Sequence, residues 1–171
     1  PMTLYTADLS PFASRVRMQI RAKSLQSEFE FQSRPAGDAF RAISMTGKVP
    51  CLDVSGSPLV ESETICEFIE DSFPEPSLRG HTALGKAKVR LFSRLVDLYL
   101  MPGFMILFGQ LQARNDEKVA EGLKKVDEAL GYIGQHLEGP MYATQGRLTL
   151  ADCALVPGFF FCQAMMPAFG K

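Results

Sequence analysis

The segment FPEPS, Phe73–Ser77, separates two stretches whose apolar residues follow different periods. Before it, short strand patterns alternate with helical ones. After it, long helical patterns continue and no convincing strand returns. A chain patterned this way builds a small α/β unit and then an all-α unit. Two prolines in five residues read as the linker, which gives domains at 1–77 and 78–171.

The first stretch reads βαβα and then ββα. MTLYT (Met2–Thr6) is short, apolar and β-prone. Phe12–Lys23 is helical, with Ala13, Val16 and Ile20 on one side and Arg17, Arg21 and Lys23 mostly elsewhere. Ser27–Ser33 alternates polar and aromatic residues, the period of a half-buried strand. Asp38–Ile43 suits a short helix. VPCLDV and PLV flank the turn residues Ser55-Gly56-Ser57 and predict a hairpin. Glu61–Phe73 carries Ile65, Phe68, Ile69 and Phe73 at helical spacing.

Beyond the linker, His81–Leu100 and Asp116–Leu137 are helical, and Pro102-Gly103 should end or kink the first of these. LTLADCALVPGFFF predicts another helix, with Thr149 and Asp152 as a capping-box pair and Leu148 as its hydrophobic staple. The apolar run Leu98–Phe108, broken by Pro102-Gly103, falls short of the roughly 20 residues that a bilayer needs, so no membrane partner is expected.

Composition narrows the function classes. The chain has 171 residues, 46% hydrophobic, which suffices to bury a core in each of two small domains. A net charge of -1 argues against a nucleic-acid partner, because phosphate binding needs clustered Lys and Arg. Cys51, Cys66, Cys153 and Cys162 make no CxxC spacing, so neither a metal site nor a disulfide framework is indicated. They read as small buried hydrophobes, with an accessible thiol left open only at Cys51, beside Pro50. Scattered free cysteines, and no visible signal-peptide pattern, place the chain in the cytoplasm.

Ser10-Pro11 opens the first helix with a preferred cap followed by a preferred first residue. A helix N-terminus presents unpaired N–H groups and the positive end of the macrodipole, which favour thiolate over thiol.

Four segments in order, SPFASRVR, GKVPCL, LVESETICEFIED and LTLADCALVP, resemble the cytosolic glutathione transferases over nearly the whole chain. The resemblance implies a thioredoxin-like βαβαββα domain and a C-terminal helical bundle that shapes the pocket for an electrophile. SPFA is similar to the omega class, which has cysteine where Ser10 stands, and to the serine-using tau class. RVR is similar to the zeta class of maleyl isomerases, but Pro11 and Phe12 replace the zeta double-serine-cysteine motif. Family members usually run longer, so helices beyond Lys171 are expected to be missing.

Glutathione is then the cosubstrate, and Ser10 the catalytic residue. A neutral serine with no nearby His is no efficient base, but its hydroxyl can donate to a sulfur anion and stabilise the charge. Lowering a thiol pKa by two units takes about 2.7 kcal/mol. A hydrogen bond to a charged group supplies about 1.5–3 kcal/mol, and the helix dipole adds about 0.3–1.

The resemblance makes Val49-Pro50 a cis bond that turns main-chain groups of Val49 toward the cysteinyl residue of glutathione. It gives Lys48 the glycyl carboxylate. Ser62 and the following helix N-terminus take the γ-glutamyl α-carboxylate, while Glu61 pairs the ammonium. Without the ligand, Glu61-Ser62 reads as a cap with an acidic first turn. Tyr5 is a rival for the thiol, because other classes use a tyrosine near the end of the first strand. Phe12, Met101, Phe104, Met105 and Phe108 are the candidates for a hydrophobic electrophile pocket.

Three functions compete: thiol conjugation, glutathione-dependent maleyl isomerisation, and a non-catalytic interaction module of the same fold. Retention on glutathione separates the last from the others. A homodimer is implied by the resemblance, and its interface would be isologous.

Overall fold

In the computed structural model, which describes residues 1–171, strand β1 (Met2–Thr6) lies inside a four-stranded sheet. It pairs in parallel with β2 (Phe29–Ser33) and antiparallel with β3 (Cys51–Val54), which pairs antiparallel with β4 (Ser57–Val60). The order is β2-β1-β3-β4. The β3–β4 turn is Ser55-Gly56, both at positive φ (53° and 85°), as a two-residue hairpin with right-handed strand twist demands. Asp53 Oδ1 accepts the Gly56 amide at 2.8 Å and closes that turn.

Helix α1 (Pro11–Ala22) connects β1 to β2, and helix α2 (Ser62–Ser72) follows β4. Their apolar stripes meet the core: Leu4, Ala13, Val16, Ile20, Leu52, Ile65 and Ile69 are all fully buried. Two boundaries differ from the sequence pattern. The strand expected from Ser27 begins at Phe29, after a 3₁₀ turn at Gln26–Glu28. The helix expected at 38–43 is a 3₁₀ turn, Gly37–Ala42, that buries Phe40.

The proline segment is part of the first unit and not a free linker. Glu70 of α2 is fully buried. Its carboxylate lies 3.0 Å from Lys23 Nζ, accepts Gln19 Nε2 at 3.1 Å, and accepts the Leu78 amide at 3.0 Å. Lys23 also donates to the Pro76 carbonyl, and Gln19 to the Cys66 carbonyl. One buried anion thus fastens α1, α2 and residues 76–78 together. The compact unit ends at Leu78, and the second runs Arg79–Lys171.

The second unit is helical. Helices α3 (Ala83–Leu95) and α4 (Met101–Gly109) form one continuous helix through a π turn at Val96–Leu100. Pro102 therefore does not end the helix. A proline removes a bond to the carbonyl four residues back and crowds it; the wide turn immediately before Pro102 absorbs that conflict. Gly103 has a separate reason. A Cβ there would lie 2.9 Å from Val126 Cγ2 and 3.1 Å from the Gly122 carbonyl. It lets α4 approach α5 (Asp116–His136) backbone to backbone.

Helix α6 (Leu150–Met165) starts on the complete capping box: Thr149 caps it, and Asp152 Oδ2 accepts the Thr149 amide at 2.8 Å. Asp152 Oδ1 also takes the Ala143 amide, which ties down the preceding loop. The continuous helix Ala83–Gly109 and the stretch Leu150–Phe169 are long and apolar enough to cross a membrane by length and composition; half of each apolar window is buried within the protein.

Candidate functional site

Ser10 is the N-cap of α1. Its backbone is extended (φ -94°, ψ 116°) and Oγ accepts the Ala13 amide at 3.1 Å. Pro11 occupies the first turn, where its missing N–H costs nothing. The hydroxyl is half-buried and keeps its own proton to donate.

Lys48, Val49, Pro50, Glu61 and Ser62 line one cleft of about 130 Å³, together with Phe12 and Thr46. Two loops bring them there. The first is set by hydroxyls. Ser44, fully buried, donates to the Lys48 carbonyl at 3.2 Å, and Thr46 Oγ1 accepts the Lys48 amide at 3.3 Å. Gly47 between them sits at φ 64°. Lys48 is thereby left exposed at the rim, and the Val49–Pro50 bond that follows is cis.

The second loop turns at Glu61. This residue holds φ 71° and ψ 118°, a conformation that costs a non-glycine residue about 1–3 kcal/mol. No side chain caps α2, so neither Glu61 nor Ser62 acts as the side-chain cap that the sequence pattern suggested. The first amides of α2 and the buried Ser62 stand at the cleft wall instead. A helix N-terminus lined this way suits a carboxylate.

The remaining sequence candidates fall elsewhere. Tyr5 lies in β1, paired with Gln32 and Cys51, and its ring packs against Phe40 with centroids 5.5 Å apart. Neither Tyr5 nor Ser10 is among the residues of the cleft wall; Ser10 stands two residues before Phe12, which is. Phe12, expected in an electrophile pocket, lines the same cleft as Lys48 and Glu61. Met101 and Phe104 are buried to 5% and 3% exposure, on the face that carries Leu100, Gly103 and Leu107, and are core residues. Met105 and Phe108 are exposed. Cys51 is fully buried, and burial pushes its thiol up despite a hydrogen bond with Ser44; it offers no accessible nucleophile.

Thr46 and Arg17 are the residues that sequence reasoning missed. Ser44-x-Thr46-x-Lys48 alternates polar groups ahead of the cis-proline, a usable signal for a hydroxyl-braced loop. Arg17 stands seven residues after Ser10 with Ser14 between, all on one helix face. Its guanidinium donates to Thr6 Oγ1, to the Ala7 carbonyl at 2.9 Å, to the Asp8 carbonyl at 3.2 Å and to Ser14 Oγ at 2.7 Å.

A mixed four-stranded sheet with its helices, then a helical unit, define a protein with a thioredoxin-like domain followed by an all-α domain. Residues 4–77 match the glutathione S-transferase N-terminal domain, and residues 95–171 match the C-terminal domain. The chain belongs to the glutathione S-transferase family. It is 29% identical over 93% of its length to maleylacetoacetate isomerase of Pseudomonas aeruginosa, 80% of which is covered. It is 30% identical over 87% of its length to the probable glutathione S-transferase GSTU1 of Oryza sativa subsp. indica, covering 68% of that chain. Among solved structures it is similar to glutathione transferase Omega 3C from Trametes versicolor, with a TM-score of 0.84 and 27% identity, covering 99% of this chain and 76% of that one.

Proposed function

We propose that the cleft holds glutathione and that Ser10 stabilises its thiolate for attack on a small hydrophobic electrophile. The convergence of Lys48, Val49, Glu61 and Ser62 on one cleft carries the reading. A tripeptide with two carboxylates and one ammonium needs a cation at one end and a zwitterion site at the other. Lys48 meets the glycyl carboxylate. Ser62 and the α2 amides meet the γ-glutamyl carboxylate, and Glu61 meets the ammonium. Val49 pairs with the cysteinyl residue through its main chain. Ser10 donates to the sulfur, and the first turn of α1 adds its dipole. The protein supplies binding, orientation and charge stabilisation, and the cosubstrate supplies the nucleophile.

The packing of Tyr5 on Phe40 supports Ser10 over Tyr5 as the thiol's partner. The helical unit is assigned the electrophile, with Met105 and Phe108 as its exposed apolar candidates. A homodimer in the cytoplasm is the state in which the enzyme is expected to work. Three buried free cysteines support a reducing compartment.

The test is retention on immobilised glutathione, followed by conjugation of a model aryl halide. A chain that folds but is not retained contradicts the reading and favours an interaction module. Isomerisation of a maleyl compound is the second reading, supported by the similarity to the Pseudomonas aeruginosa isomerase. In that case a cis substrate turns trans while glutathione is not consumed.

A further inference from the structure

We propose that Arg17 is the positioning residue of Ser10, holding the β1–α1 loop so that the Ser10 hydroxyl stays aimed at the thiol sulfur. The inference rests on the glutathione reading above and deepens it.

The loop has little else to hold it. Asp8 and Leu9 are exposed, Leu9 to 79%, so apolar packing does not order it. Its residues belong to neither β1 nor α1. The guanidinium reaches three consecutive residues, Thr6, Ala7 and Asp8, and braces itself on Ser14 one turn above Ser10. Only a planar fork with several fixed donors can serve that many acceptors at once.

The link to Ser10 is one atom long. The Ala7 carbonyl accepts Arg17 Nη1 at 2.9 Å and also accepts the Ser10 amide at 3.2 Å. Arg17 therefore fixes the carbonyl that fixes the Ser10 backbone. The Ser10 side chain is then set from the other side by the Ala13 amide. The charged groups that act on the guanidinium are Asp8, which favours its charge, and Arg21, which opposes it. Arg17 itself does not line the cleft.

The test uses the full chain with Arg17→Lys and Arg17→Met. Lysine keeps the charge and loses the fork. Three quantities are measured: amide hydrogen exchange of residues 7–10 without ligand, the thiolate absorbance of bound glutathione against pH, and kcat and KM for conjugation. In both variants exchange at Ser10 is expected to rise about tenfold, and the bound thiol pKa by about one unit, which is about tenfold less thiolate at a pH well below that pKa, where kcat is compared. kcat should fall by about the same tenfold, with KM for glutathione within about twofold, because the cleft wall is intact.

Unchanged exchange in both variants overturns the proposal. So does faster exchange with an unmoved thiol pKa, or a lysine variant that matches the wild type in both. A wild-type chain that retains no glutathione overturns the reading of the cleft, and with it the positioning role of Arg17 in catalysis, whatever the exchange shows.

Discussion

The Ser10 oxygen accepts the Ala13 amide, and that bond polarises its O–H for donation to an anion. The cap and the proposed catalytic group are thus one atom, and two substitutions separate them. Ser10→Ala removes both and is expected to cost about 0.5–2 kcal/mol of stability, whereas Ser10→Gly costs only a few tenths. Both should lower conjugation by about 10–100-fold, the factor for one to two pKa units of the thiol. An undiminished rate in folded Ser10→Gly removes Ser10 from the mechanism. Ser10→Cys should gain thiol–disulfide exchange, since a helix N-terminus lowers a thiol pKa; no gain counts against this geometry. Glu61 offers a complementary separation. Glu61→Gly relieves a left-handed backbone at φ 71° and should leave thermal stability equal or higher, while retention on glutathione falls. Ser10 and its cap were legible in Ser-Pro at a helix start. The backbone of Glu61 was not, because the left-handed turn is imposed by how β4 hands over to α2 and leaves no residue-type signature.

At the scale of elements, the dipeptide Pro102-Gly103 shows how a correct local rule can miss its tertiary outcome. Proline punctuation is real, and the helix answers it with a π turn at 96–100 instead of stopping. The glycine is there for α5. Gly103→Ala should destabilise the helical unit by about 1–3 kcal/mol, because the new methyl meets backbone that cannot move aside; an unchanged melting temperature would show that α4 and α5 can separate freely. The loop after α5 carries a pH-dependent contact. Glu138 accepts from Lys88, from Thr144 Oγ1 at 2.6 Å and from the Gln145 amide at 3.0 Å, and these hydrogen bonds hold its carboxyl down at about 2. A carboxyl lowered by folding stabilises the fold above its ordinary pKa and loses that contribution as pH falls toward the folded value. Glu138→Gln should therefore flatten part of the acid limb between about pH 4.5 and pH 2, read from urea midpoints against pH. The capping box at Thr149 and Asp152 was readable from spacing alone. The clasp at Glu138 was not, since it joins residues 50 positions apart.

At the scale of the whole chain, two compact units divide at Leu78, and the first is fastened by a buried anion. Glu70→Ala would leave the Lys23 ammonium without its carboxylate in an interior where both side chains are essentially inaccessible. Breaking such a pair by removing one partner costs about 3–5 kcal/mol, while Lys23→Met with Glu70→Leu should recover much of the loss. Equal denaturation midpoints for the single and double variants would contradict that account. The sequence by itself determined the order of strands and helices, the change from α/β to all-α, and the membership in the family, because periodicity and caps are local and the four motifs keep their order. It also named five residues that meet in one cleft. Only the tertiary structure decided which side chains stay at a surface. Met101 and Phe104 go into the core while Met105 and Phe108 do not, and Tyr5 turns to Phe40. A helical period has no origin of its own; the neighbour that packs against it decides which face is buried. The same holds for Arg17, an ordinary surface residue by spacing, whose partners exist only once β1 and α1 are joined by their loop.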